Sequence, residues 1–311
     1  MMFAIVALIL FLCFPNDVVS GSLSGLRLCA SAVIPSLFPF FVVTRFLISS
    51  IPQSAGIKPA LIVSFLGGYP VGVSTVATMY ESGKLEKKQA ERALLYCNNS
   101  GPGFFVGMIG TYIFNDIKVG LGLYAIHVCS ALTCAAIIQK GKSNYHIRKI
   151  NEAPQTFSKR FLDALSTSCE SMLQVCGLVV FFSVISSVLY RIGIFRWLPC
   201  EALLRGLLEL TGGIATLSAD SVGVIIAAFL MGWGGLCVHM QAMCLWQKVG
   251  LKPRGYFAAK LLHGLISAFF ALIITSKSPL WLSFAVIFFL SSLFFPIFHQ
   301  KWGRKKKKLV V

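Results

Sequence analysis

Long apolar runs alternate along this chain with short polar stretches. Ala32–Ile51, Val222–Trp246 and Pro279–Phe298 are each close to the roughly 20 residues an α-helix needs to cross a hydrocarbon layer. The runs are continuous rather than alternating residue by residue, which favours helices over strands of a closed barrel. The pattern predicts a first helix within residues 1–20 and four more at about Ala30–Ile51, Pro59–Tyr80, Gly101–Phe114 and Val119–Gln139. Four others follow at about Leu165–Tyr190, Val222–Trp246, Phe257–Ile274 and Pro279–Phe298. The expected fold is all-α, a polytopic membrane protein of about nine helices. Because "MMFAIVALILFLCFP" lacks a basic start, it reads as an uncleaved helix rather than a signal peptide.

The halves look alike. "FLGGYPVGVSTVATMYESGKL" at Phe65 is echoed by "FLMGWGGLCVHMQAMCLWQKVGLK" at Phe229, and "ERALLYC" at Glu91 by "AAKLLHG" at Ala258. A fainter pair is "LCASAVIPSLFPFFVV" and "SCESMLQVCGLVVFFSV". Three segments recurring in the same order predict two homologous halves, with a site at their interface. The expected organisation is an N-terminal helix (1–20), a first repeat (21–139), a basic linker (140–160), a second repeat (161–299) with an insertion at 191–219, and a basic tail (300–311). Whether the repeats are parallel or inverted depends on whether Gly101–Phe114 spans or re-enters.

Composition sharpens this reading. Of 311 residues, 56% are hydrophobic and 13% charged, about half the charge of a soluble domain. The net charge of +17 would suggest nucleic acid on a soluble fold. Here the cations cluster between apolar runs: Lys84 to Arg92, Lys140 to Arg160, Lys248 with Lys252, Arg254 and Lys260, and the tail "KWGRKKKK". That is the positive-inside pattern, so these clusters and the C-terminus are expected in the cytoplasm and no nucleic-acid partner is implied. The tail also suits anionic lipid. Ten cysteines lie mostly inside apolar runs without a CxxC pair, which argues for buried hydrophobes rather than disulfides.

Four stretches interrupt the apolar runs. "NNSGPG" brings Asn98, Asn99 and Ser100 to the start of a hydrophobic helix, where they either cap its free amides or join them in holding a ligand. "FLGGYPVG", with Gly68 and Tyr69 at its centre, cannot form a regular helix cheaply. It reads as a discontinuous span or as close packing through small residues. "MGWGGLCVHMQ" puts His239 and Gln241 deep in a span, where polar groups are costly. "LLELTGG" places Glu209 before a Gly-Gly break, facing a solute or pairing with Arg205 on an amphipathic helix. Glu170 is a weaker candidate acid. Cys237 and His239 are two apart and point to different helical faces, so no metal site is expected. No Walker loop, GxSxG, HExxH or carboxylate pair occurs, so neither an enzyme nor a cofactor is expected.

These motifs, "GGYPVG", "MYESGKLEKKQAERALLYCNNSGPGFFVGMIGTYIF", "LLELTGG" and "GWGGLCVHMQ", resemble the YlbJ-like sporulation integral membrane proteins, which are related to nucleoside-recognition (Gate) domain proteins. The resemblance spans about Leu26 to Phe270. It implies a multi-pass protein of the bacterial plasma membrane, tied to spore formation and similar to transporters. The solute it implies is small and polar, a nucleoside by the domain's name. The substrate-binding residues expected on this reading are Asn98, Asn99, Ser100, Gly68, Tyr69, His239, Gln241 and Glu209. A non-transporting scaffold in spore-envelope assembly is the alternative. The oligomeric state is left open.

Overall fold

The computed structural model describes residues 2–49, 56–138, 156–197 and 200–276. Among them are thirteen α-helices and no strand. Helix α1 (Met2–Cys13) meets α2 (Pro15–Leu28) at a bend of 100°, where Pro15 occupies the first turn of the new helix. Helix α2 runs on through a π-helical turn, Cys29–Val33, into α3 (Ile34–Ser49). Residue 20, the boundary expected from hydropathy, therefore falls inside α2. The long α8 (Phe157–Arg191) packs along α2 and α3. Gly21 and Gly25 allow that approach: a methyl at Gly25 would lie 2.7 Å from Val180 Cα, and one at Gly21 2.8 Å from Val184 Cα. Small residues four apart bring membrane helices together in this way.

The second layer is built from interrupted helices. Helix α4 (Lys58–Gly67) breaks at Gly68–Pro70 and resumes as α5 (Val71–Glu81). Helix α6 (Lys87–Leu94) leads into the irregular Cys97–Gly101, then a π-helical segment Phe104–Ile113 and α7 (Ile117–Ile138). The insertion folds into α9 (Glu201–Leu208) and the short α10 (Leu210–Ile214). Helix α11 (Ser221–Trp233), capped by Asp220 Oδ1 on the Gly223 N–H at 2.7 Å, is interrupted at Gly234 before α12 (Gly235–Lys248). Helix α13 (Tyr256–Thr275) closes the layer against α11 and α7.

Four of these units are long and apolar enough to cross a membrane: α7, α8, the broken α11–α12 and α13. The bent α1–α2 pair makes a fifth. Two of the hydropathy runs are missing from this set because glycine and proline divide them into pieces. Pro59–Tyr80 becomes α4 and α5, and Gly101–Phe114 keeps only the ten-residue π-helical segment. The expected last span Pro279–Phe298, most of the linker and the basic tail lie outside the described residues.

The repeated motifs take the same local shape. Gly68 (φ 76°) and Gly235 (φ 77°) sit at the two breaks, and Gly83 (φ 66°) and Gly250 (φ 71°) end the helices that follow. Both pairs are 167 residues apart. At the second pair a backbone N–H reaches back five residues, Lys84 to Met79 O at 2.8 Å and Leu251 to Trp246 O at 3.0 Å, the wrap that a left-handed glycine gives a helix end. The two post-break helices, α5 and α12, pack on each other.

Candidate functional site

The breaks converge. A methyl on Gly68 would lie 3.1 Å from Gly101 N, so the α4–α5 joint rests directly on "NNSGPG". One on Gly235 would lie 3.0 Å from Gly206 O and 3.1 Å from Leu210 N, and one on Gly234 3.6 Å from the Tyr69 hydroxyl. The α11–α12 joint thus sits between Tyr69 and the Glu209 joint. Gly72 passes so close to the Cys97 carbonyl that no side chain fits.

Each break frees backbone groups that must find partners away from water. The Tyr69 hydroxyl donates to Met231 O near the end of α11, and Tyr124 on α7 donates to Phe65 O near the end of α4 (3.1 Å). Glu209 accepts from the N–H groups of Thr211 (2.9 Å) and Gly212 (2.6 Å), capping α10. The ends of α4 and α11 are held by side chains of other segments, so those breaks are built into the tertiary structure.

A cavity of about 100 Å³ opens where the joints meet, several times the ~10–15 Å³ needed to hold one water. Gly68, Tyr69, Ser100, Glu209 and Gln241 line it. These are five of the eight candidates, drawn from four separate stretches of sequence. Apolar walls come from α3 and α8, through residues such as Leu37, Phe40 and Val175. Glu209, 6% exposed, has no ion-pair partner among the described residues. Arg205, which the sequence offered as its partner, pairs with Glu201 at 2.8 Å and lies over the Tyr190 ring. Glu170 is exposed on α8 and away from the cavity.

Asn98, Asn99 and His239 are almost fully buried but lie behind this wall. The π-helical segment has no side-chain cap. The asparagines instead tie segments together: Asn99 Nδ2 donates to Ser64 Oγ and Tyr96 O, both at 2.9 Å, and Asn98 Nδ2 to the Tyr256 hydroxyl at 2.5 Å. The capping reading of these residues is therefore corrected. Each amide nitrogen finds a partner on another element, while the Asn98 and Asn99 Oδ1 atoms have none among the described residues.

The structure adds a cluster that hydropathy concealed. Lys260, counted among the cytoplasmic cations by sequence, is 1% exposed on α13. Its Nζ donates to Asn98 O at 2.8 Å, lies 3.3 Å from His263 Nδ1 and sits 5.4 Å from the Tyr69 ring centre. His263 Nε2 is 3.2 Å from His127 O, and His127 Nε2 accepts from the Ser100 N–H at 3.1 Å. The signal was the i, i+3 spacing of Lys260 and His263 within an apolar run, which puts both on one helical face. Among the described residues no group of His, Cys, Asp and Glu could hold a metal ion.

The chain is 24% identical to the sporulation integral membrane protein YlbJ of Bacillus subtilis (strain 168), over 84% of this chain and 78% of that protein. That likeness agrees with the family read from the motifs. No family model and no solved structure matches the chain.

Proposed function

We propose that this multi-pass membrane protein binds a small polar solute in the cavity between its helix breaks, as a transporter does. The observation that carries the proposal is the convergence of four breaks and five candidate residues on one space. Broken helices around a central cavity are the arrangement by which secondary transporters expose polar groups at membrane depth. Ser100, Glu209 and Gln241 supply hydrogen-bonding groups on walls that are otherwise largely apolar. Such a pocket suits a solute with a flat apolar face and several donors, a description that fits a nucleoside. The likeness to YlbJ supports a place in the bacterial plasma membrane and a link to sporulation, with the C-terminus in the cytoplasm by the charge pattern.

The test is a thermal-shift screen of the purified protein in detergent against nucleosides, free bases, organic acids and divalent metal ions. A ligand at 100 times its dissociation constant stabilises by about 2.7 kcal/mol. The expected result is stabilisation by a nucleoside that is lost in Gln241→Ala and Glu209→Gln. A folded protein silent to the whole panel overturns the solute reading and favours a membrane scaffold.

A further inference from the structure

Among the described residues Lys260 is a cation without a counter-ion. No carboxylate reaches it among the described ion pairs, and the groups facing it are neutral or can become so. The α4–α5 joint offers Tyr69, α7 offers His127 and Cys134, and α12 offers His239. Its own helix offers His263, with Tyr256 a turn below and bonded to the same Asn98. Helix α11, which packs on α13, carries no titratable side chain.

The partners fix the tautomers. His127 Nε2 accepts the Ser100 N–H, so the ring is neutral with its hydrogen on Nδ1, which has no partner among the described residues. His263 Nε2 faces a carbonyl and must donate, which leaves Nδ1 bare to accept from Lys260. Tyr256 accepts from Asn98 and so donates to His239 Nδ1, 3.3 Å away, leaving the His239 hydrogen on Nε2 without a partner among the described residues. All three histidines are therefore neutral in this arrangement, and any excess proton in the cluster rests on Lys260. Its three N–H bonds match its three neighbours: the Asn98 carbonyl, His263 Nδ1 and the face of Tyr69.

We propose that Lys260 and His263 form a proton-binding site that clamps the cavity wall. One excess proton is held along the 3.3 Å contact between Lys260 Nζ and His263 Nδ1. When it shifts, an N–H bond breaks on one nitrogen and forms on the other. When it leaves, it passes to water and both groups are neutral. A second excess proton is disfavoured because it would put two like charges within that distance in a buried site. A buried cation without a carboxylate is costly.

Its loss has a mechanical consequence. Charge strengthens the bond from Lys260 to the Asn98 carbonyl and supplies the attraction to the Tyr69 ring. Asn98 stands two residues before Ser100, and both Ser100 and Tyr69 line the cavity. Deprotonation therefore loosens two walls at once. This would couple solute access to proton binding, and it goes beyond the solute reading because the clamp is testable without any solute.

Amide hydrogen exchange on the full chain in detergent provides the test, following backbone amides 98–101 at about pH 6 and about pH 9.5, either side of the span between free His and Lys. Rates are corrected for the intrinsic pH dependence using the unfolded protein. The expected result is protection about tenfold greater at the lower pH, the difference between a charge-assisted and a neutral hydrogen bond. In Lys260→Met, protection should be low at both pH values. In Lys260→Arg, whose charge is permanent, the pH difference should vanish. Equal corrected protection of the wild type at both pH values overturns the proposal. So does a wild-type pH difference that survives in Lys260→Arg, which decides the matter even where Lys260→Met does not fold.

Discussion

Tyr69 does two jobs at the residue scale. Its hydroxyl satisfies the Met231 carbonyl that the break in α11 leaves open, and its ring faces both Lys260 and the cavity. Tyr69→Phe separates them, since it keeps the ring and removes only the hydroxyl. A buried carbonyl left without a partner costs about 1–3 kcal/mol. Tyr69→Phe should therefore lower the thermal midpoint in detergent while leaving the pH response of amides 98–101 in place. Tyr124→Phe, whose ring is only partly buried and whose bond to Phe65 O is 3.1 Å, should cost less. An unchanged thermal midpoint in Tyr69→Phe would show that the α11 joint does not depend on that hydroxyl. The sequence revealed Tyr69 through its place in "GGYP". It did not reveal Lys260, His127 or His263. Lys260 was hidden because it follows Lys248, Lys252 and Arg254 closely enough to be counted with them as a cytoplasmic charge. Its burial depends on α7 and the α4–α5 joint, segments more than a hundred residues away.

At the scale of elements, glycine acts in opposite ways along the α2–α8 contact. Gly25 faces the α8 backbone, with no room for even a methyl group, whereas Gly177 on α8 has nothing within 4 Å of where its Cβ would be. Gly25→Val should push α2 off α8 and destabilise the protein by an overpacking cost of about 1–3 kcal/mol. Gly177→Ala should be neutral, or stabilising by up to about 1 kcal/mol, because alanine is the better helix former. Thermal unfolding of both variants in one detergent checks the pair, and shifts of the same sign would contradict this packing. The break positions were legible at this scale, since Gly and Pro in "GGYP", "NNSGPG" and "MGWGG" interrupt apolar runs where a regular helix is expensive. How each break is supported was not legible. Asn98 and Asn99 look like caps because they precede a helix, yet their partners Tyr256 and Ser64 come from elements that sequence proximity does not link.

For the whole molecule, the distribution of polarity decides which solvent surrounds it. Asn98, Asn99, His127, His239, Lys260 and His263 are all within 3% of full burial, while Leu173, Leu162, Val222 and Leu272 are from 53% to 77% exposed. A water-soluble fold would not leave such a set of aliphatic side chains outward on its long helices. A lipid-facing surface requires it, with polar groups turned to the interior. Leu173, 77% exposed within the 35-residue α8, is a sensitive probe of that surface. A lysine at the centre of a spanning helix costs roughly 2.5–3.5 kcal/mol on insertion scales, and a leucine gains a few tenths. Leu173→Lys should therefore reduce the fraction of protein that resists alkaline extraction from membranes, while Leu173→Phe should leave it unchanged. If Leu173→Lys inserts as well as the wild type, this face of α8 does not meet lipid. The cavity wall that α8 supplies through Val175 and Val179 would then be one side of a helix covered on both faces by protein.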